Sequence, residues 1–282
     1  MKEEIFYTKK DIKDTKIAII ADIHYCPNYN EDILKNIYKQ LLKAKPQYLV
    51  VAGDILDRSN YKYEGLIEFF KKISKEMTII VIFGNHDNYI ETKEKKVIEG
   101  YNKEFIEELL KIDNTYLLRD KKKIIDNICF YGFDLSFYHY IKDKESYNSF
   151  CQEITKFKTN LDPNNYNITI IHSPVNIYKY IKRNPDCNLA KSDLIISGHT
   201  HNGVLPYWFS NIINKIFKTN RSLASPYRFL FPKYAQGRVY KPVDGIIYEG
   251  IKKLSHSSGF LHHFDFIFHK KIKLITIKKK TD

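Results

Sequence analysis

Residues 16–24 read KIAIIADIH, a short apolar, β-branched run that ends on a carboxylate and an imidazole two positions apart. Such a run is strand-forming, and the polar residues at its end belong to the turn that leaves the sheet. Four more runs have the same form: YLVVAGD at 48–54, IIVIFGNHD at 79–87, ITIIH at 168–172 and LIISGHTH at 194–201. Between the first two, Ile33, Leu34, Ile37, Leu41 and Leu42 recur at helical spacing, and Pro46 ends that helix. Strands at Lys16 to His24, Tyr48 to Ile55 and Met77 to Phe83 therefore alternate with helices, the next two at Tyr63 to Lys75 and Lys95 to Ile112. That alternation predicts an α/β fold with a mostly parallel sheet. Beyond Tyr116 the pattern changes to paired short strands around Lys121 to Lys123, a helix near Tyr147 to Phe157, and strands at Ile168 to Ile171 and Asp193 to Ser197. Irregular Pro- and aromatic-rich text follows from Val204, then strands at Ile246 to Tyr248 and Ile272 to Ile277. No repeat or linker interrupts the chain, so residues 1–282 are expected to form one domain.

The polar ends of the five runs carry the chemistry. Asp22, His24, Asp54, Asn85, His86, Asp87, His172, His199 and His201 all lie there, and five of the ten histidines are among them. In open α/β sheets, side chains just past the carboxyl ends of strands converge on one crevice. In an extended segment, residues i and i+2 point to one side, which would pair Asp22 with His24 and His199 with His201. Carboxylate, imidazole and amide together suit Mn, Fe or Zn better than Ca, which prefers oxygen alone. Six or seven such groups are too many for one ion. Two ions ~3.5 to 4 Å apart are a recurring device for in-line attack on phosphorus, so phosphate ester hydrolysis is the natural reading.

The ordered set Asp-x-His, Gly-Asp-x-x-Asp, Gly-Asn-His-Asp, His and Gly-His-Thr-His resembles that of the calcineurin-like metallophosphoesterases, across residues 16 to 203. The resemblance implies two packed β-sheets flanked by helices, a four-layer α/β/β/α arrangement. It implies that Asp22, His24 and His201 hold one divalent ion, that Asn85, His172 and His199 hold the other, and that Asp54 bridges them. His86 would contact the scissile phosphate and stabilise charge or protonate the leaving oxygen, with Asp87 orienting it. Ser197 to Gly203 further resembles the Ser-Gly-His-Thr-His-Gly-Gly stretch of a bacterial branch acting at membranes on lipid-linked phosphoesters, with Asn202 in place of the first of the two glycines.

Other candidates read more plainly. Arg58 is placed to reach phosphate or to make a salt bridge that buttresses its turn. The group His256, His262, His263 and His269 has no carboxylate or cysteine at ligand spacing apart from Asp265, so it is not read as a metal site. His139, among Phe137, Tyr138 and Tyr140, reads as loop or pocket lining.

Composition narrows the class. A chain of 282 residues buries roughly three quarters of its unfolded surface, and 43% hydrophobic residues exclude a disordered chain. Cys26, Cys129, Cys151 and Cys187 are too sparse and too spread for a disulfide scaffold, which indicates a reducing compartment. The opening MKEEIFYTKKDIKD lacks the apolar core of a secretory signal, and the apolar runs fall short of the ~20 residues that span a bilayer. A cytoplasmic protein is expected.

The net charge of +13 is not evenly spread. Residues 204–241 hold seven Lys/Arg, no Asp or Glu and nine aromatics, so +7 of the charge follows directly on the Gly-His-Thr-His loop. Within this stretch Phe209, Ile212, Ile213, Ile216 and Phe217 form the apolar stripe of a short basic helix. Packing of that stripe on the domain, docking on an anionic membrane surface and a nucleic-acid groove are all compatible with it. The expected partners are a phosphoester substrate, then an anionic membrane, with nucleic acid behind it and no protein partner. Favoured substrates are lipid-linked or nucleotide-type phosphodiesters or pyrophosphates; a nuclease, or a non-catalytic scaffold of the same fold, is the alternative.

Overall fold

The computed structural model describes residues 3–27, 29, 31–57, 62–94, 96–199, 248–249 and 272–280. The chain begins with β1 (Glu3–Thr8) and β2 (Thr15–Ile20), then alternates α1 (Glu31–Ala44), β3 (Tyr48–Ala52), α2 (Glu64–Ser74) and β4 (Thr78–Ile82). A small antiparallel ribbon of β5 (Tyr89–Glu91) and β6 (Val97–Glu99) precedes α3 (Lys103–Leu110) and β7 (Thr115–Leu117). The second half holds the hairpin β8 (Lys121–Ile125) and β9 (Ile128–Phe133), then α4 (Tyr147–Ile154), β10 (Tyr166–Ile171), α5 (Ile177–Arg183) and β11 (Leu194–Ser197). Two last strands are β12 (Tyr248–Glu249) and β13 (Lys273–Lys279).

These strands form two large sheets. The first has the order β1-β13-β2-β3-β4-β7, and the second β12-β11-β10-β9-β8. In the first, β2, β3, β4 and β7 run parallel and β13 is antiparallel to β2. The period-2 geometry of a strand sends alternate side chains to opposite faces, and the burial follows it. Ile17, Ile19, Val50, Ile80 and Ile82 from the first sheet meet Phe130, Ile168, Ile170 and Ile196 from the second in one core between the sheets. Ala18, Ile20, Leu49, Val51, Ile79 and Val81 point the other way, onto Leu34, Ile37 and Leu41 of α1, Phe70 of α2 and Phe105 of α3. On the far side of the second sheet, Cys129, Tyr131, Ile171 and Ile195 pack on Phe150 of α4 and on Ile177 and Ile181 of α5. Three separate cores define four layers, helices outside and two sheets inside, as expected for an α/β chain of this type. Because both faces of the central strands are covered, their sequences read as unbroken apolar runs.

Two readings need correction. The helix expected from Lys95 begins at Lys103, because Val97–Glu99 pairs with Tyr89–Glu91 and the Asn102 side chain caps the helix by accepting from Phe105 N at 2.9 Å. The amino-terminal segment, read only as lacking a secretory signal, contains β1, whose Ile5 and Tyr7 are exposed while Phe6 packs toward the core between the sheets. The basic segment 204–241 lies outside the described residues, as does most of the strand expected at Ile246 to Tyr248. No described helix is long and apolar enough to cross a membrane.

Candidate metal centre

The site stands where the carboxyl ends of both sheets meet. Leaving β2 and β3, the backbone continues as a paired double loop, with Asp22 N donating to Gly53 O and His24 N to Asp54 O, each at 3.0 Å. This is not the extended geometry expected for Asp22 and His24: φ is +55° at Asp22, +49° at His24 and +51° at Asp54. His199, in the loop after β11, has φ +73°. Left-handed backbone at a non-glycine residue costs about 1–3 kcal/mol and persists only where the surroundings over-determine it. The surroundings are identifiable here. His199 N donates to the Asp22 carboxylate at 3.0 Å, His86 N donates to Asp54 Oδ1 at 2.9 Å, and Gly198 N donates to His172 O at 2.9 Å. Gly53, at φ +88°, leaves room for His172, since a Cβ at that position would stand 2.5 Å from Nδ1.

Five of the expected residues come together in two trios that share Asp54. Asp22, His24 and Asp54 place one donor atom each within 4.8 Å of one another, and so do Asp54, His172 and His199. His24 Nε2 lies 3.5 Å from Asp54 Oδ2, and His172 Nε2 lies 3.2 Å from the same oxygen and 4.0 Å from Asp22 Oδ1. His172 Nδ1 lies 2.7 Å from the carbonyl oxygen of Ala52. A carbonyl only accepts, so Nδ1 carries a proton, and Nε2 is the ring atom that faces the two carboxylates. A third trio, His24, Asp57 and His86, extends the cluster outward.

Electrostatics favour positive charge at this place. Burial pushes the Asp54 carboxyl up, but the imidazoles of His172, His86 and His24 outweigh it and hold the group well below the usual carboxylate range. Burial pushes His172 down, and Asp54 with Asp22 overrides it, raising the imidazole to about 10. Asn85 Oδ1 is buried with no hydrogen-bond partner among the described residues. Two carboxylates, three imidazoles and an orphaned amide oxygen make a mixed nitrogen and oxygen donor set that fits divalent Mn, Fe or Zn. His201 lies outside the described residues.

His86 and Asp87 are placed differently from expectation. The Asp87 carboxylate accepts from the backbone N–H groups of Ile55 at 3.0 Å, Leu56 at 2.9 Å and Gly84 at 2.9 Å, so it ties the loop after β4 to the loop after β3. Burial, then the charge of Asp54, pushes Asp87 up to about 6 against those backbone donors. The contacts to the His86 ring come from Asp57 and Tyr89: His86 Nδ1 lies 2.7 Å from the Asp57 carbonyl oxygen and 2.7 Å from the Tyr89 hydroxyl. His86 is the outward-facing histidine, its side chain 26% exposed against 2% for His24.

Sequence reading passed over several neighbours. Asp57 Oδ1 lies 3.1 Å from His24 Nδ1, a contact its place in Gly-Asp-x-x-Asp could have suggested. The buried Glu145 and Tyr140 carry no such signal: Glu145 Oε1 is 3.1 Å from His199 Nε2, and the Tyr140 ring is 5.6 Å from that of His199. His139, expected to line a loop or pocket, is fully buried in the π-helical turn Tyr138–Lys142, its Nδ1 2.8 Å from Ser149 Oγ. Arg58 and His256, His262, His263 and His269 lie outside the described residues.

The model of the family described as calcineurin-like phosphoesterase matches residues 15–203, more than half of the chain. Similar proteins include one from Aquifex aeolicus, 28% identical over 219 residues, which are 77% of this chain and 75% of that one. One from Campylobacter jejuni is 25% identical over 199 residues, 70% of this chain and 47% of its own. Another from Helicobacter pylori is 24% identical over 211 residues, 73% and 50%. Each carries the name uncharacterized metallophosphoesterase, and the chain spans about half the length of the latter two. With Asp22, His24, Asp54, His172 and His199 gathered in one cluster and a family match over residues 15–203, the chain belongs to the calcineurin-like phosphoesterases, metal-dependent phosphoester hydrolases whose centres typically hold two ions.

Proposed function

We propose that this chain hydrolyses phosphodiester or pyrophosphate bonds at a dinuclear centre in which Asp22, His24 and His201 hold one divalent ion, Asn85, His172 and His199 hold the other, and Asp54 serves both. The observation that carries this reading is the pair of donor trios sharing Asp54. Mn, Fe and Zn all suit this donor set. Bound there, two cations supply Lewis-acid polarisation of a phosphoryl group and acidify water at neutral pH.

The chain's own residues supply the rest. Asp57 holds the His24 ring through Nδ1, leaving Nε2 toward Asp54. The Asp57 carbonyl accepts from His86 Nδ1, and Nε2, 3.5 Å from the Tyr89 hydroxyl, is the atom proposed to meet a phosphoryl or leaving-group oxygen. Exposed at the rim, His86 donates a proton or hydrogen bond there. Asp87 acts indirectly, fixing the backbone that carries Asn85 and His86.

Lipid-linked or nucleotide-type substrates are favoured, with an anionic membrane surface as partner. Support comes from the +7 carried by residues 204–241 immediately after the Gly-His-Thr-His loop, and from the likeness of Ser197 to Gly203 to the membrane-acting branch. The test is a panel of monoesters, diesters, nucleotide pyrophosphates and phospholipid head groups with Mn supplied, run beside Asp54→Asn. Turnover confined to diesters or pyrophosphates, and lost together with bound metal in the variant, is expected. Full activity with unchanged metal content in Asp54→Asn would refute the site. Sedimentation with anionic vesicles tests the membrane partner, whereas DNA binding that falls steeply with salt would favour a nuclease.

A further inference from the structure

Asn88 closes the short 3₁₀ turn His86–Asn88 and is 6% exposed. Both ends of its side-chain amide are in use. Nδ2 donates to Gly84 O and to Asp134 Oδ1, each at 3.1 Å, while Oδ1 accepts from Arg119 Nη2 at 2.9 Å. Two acceptors on one side and a donor on the other admit a single orientation of the amide. Arg119 Nε in turn donates to Asp134 Oδ2 at 2.6 Å, so the three side chains close a ring of hydrogen bonds. The guanidinium carbon stands 5.0 Å from the centre of the Phe83 ring and 5.2 Å from that of Tyr101, and this stacking holds a long side chain in one place.

This ring joins three strand ends. Phe83 and Gly84 follow β4, Arg119 follows β7 in the same sheet, and Asp134 follows β9 in the other sheet. Asn88 N also donates to Asn85 O at 3.2 Å, so its backbone and side chain both hold the segment that carries Asn85 and His86. Asp87 ties that segment to the loop after β3, and Asn88 ties it to the second sheet. His86 lies beside both anchors, and Tyr89, whose hydroxyl stands 2.7 Å from His86 Nδ1, directly follows Asn88. Aspartate at this position could not donate to Gly84 O and Asp134, and alanine would offer nothing to any of the three partners. We infer that Asn88, held by Asp134 and Arg119, is a positioning residue that fixes His86 against Asp54. Its effect on turnover rests on the reading of His86 as the group that meets a phosphoryl or leaving-group oxygen.

The test compares wild type with Asn88→Ala by amide hydrogen exchange on metal-stripped full-length protein, and by hydrolysis of bis-p-nitrophenyl phosphate with Mn²⁺ supplied. The His86 N–H, which donates to Asp54 Oδ1 at 2.9 Å, should exchange about 10–100-fold faster in the variant, while the Asp22 N–H, which donates to Gly53 O, should be unchanged. In turnover, kcat should fall about 10–100-fold with KM within about twofold of wild type. In a His86→Ala background the same substitution should cost less than about threefold, because no ring remains to be misplaced. Arg119→Gln leaves both Asn88 Nδ2 bonds in place, so it should show the same pattern at smaller amplitude, and it stands in if Asn88→Ala does not fold. Unchanged exchange at His86, equal acceleration at His86 and Asp22, or the same fold loss of kcat with and without His86 would overturn the inference. Wild type without turnover, or His86→Ala as fast as wild type, would remove the proposed activity or the part of His86 in it, and the exchange rates alone then decide whether Asn88 positions His86.

Discussion

The backbone N–H of His199 donates to the side chain of Asp22 at 3.0 Å, joining the loop after β11 in one sheet to the loop after β2 in the other. Asp22→Ala removes that acceptor and strands a buried N–H, a loss of about 1–3 kcal/mol. Thermal melting of the metal-free protein should fall by about 2–4 °C per kcal/mol. Asp22→Asn keeps an acceptor oxygen and should melt nearer to wild type. Equal melting of Asp22→Ala and wild type would show that the bond contributes nothing.

Gly53→Ala is expected to damage the site without replacing a charged group. The new Cβ would stand 2.5 Å from His172 Nδ1 and 2.8 Å from Gly84 N, at a φ of +88° that alanine adopts only with strain. His172 must turn away from Ala52 O, so Mn²⁺ affinity should drop with a stability loss of about 1–3 kcal/mol. Calorimetry and melting measured on the same sample check both parts.

Chelation should lower the melting temperature and Mn²⁺ should restore it, because a ligand at a hundred times its Kd adds about 2.7 kcal/mol to the folded state. The same cycle on Asp54→Asn should show little shift. A shift of wild-type size in that variant would place the metal elsewhere.

His86→Ala and Asp87→Asn should fail in different ways. Losing His86 should cut turnover by about 10²–10⁴-fold while leaving bound metal in place, since the ring faces outward at the rim. Asp87→Asn turns an amide toward the N–H groups of Ile55, Leu56 and Gly84, so melting should fall by the equivalent of about 1–3 kcal/mol. Wild-type stability for Asp87→Asn would remove its structural role.

The central strands were legible because runs such as Ile17 to Ile20 are apolar on both faces and end on polar residues, which admits few other readings. That Asp22, His24, Asp54, His172 and His199 stand together was legible for the same reason. Their backbone was not, since left-handed φ is announced by glycine and these positions carry Asp and His. Nor were Asp57 and Glu145 as the partners of His24 and His199, because each pairing is created only when separate loops fold together. The strand at Val97–Glu99 hid inside a charged stretch long enough to be taken for helix, and β1 hid because an exposed edge strand has only a weak alternating pattern.

The order of the first sheet has a consequence for how the chain is made. Residues 273–279 lie between β1 and β2, pairing Glu3 with Leu274 on one side and Ile19 with Lys273 on the other. On the ribosome, β2, β3 and β4 and the loops carrying Asp22, Asp54 and Asn85 emerge long before that strand does. Throughout this interval β2 has an open edge and β1 lacks the neighbour it pairs with, so an unfinished sheet must be kept from pairing with other chains until β13 is inserted between them.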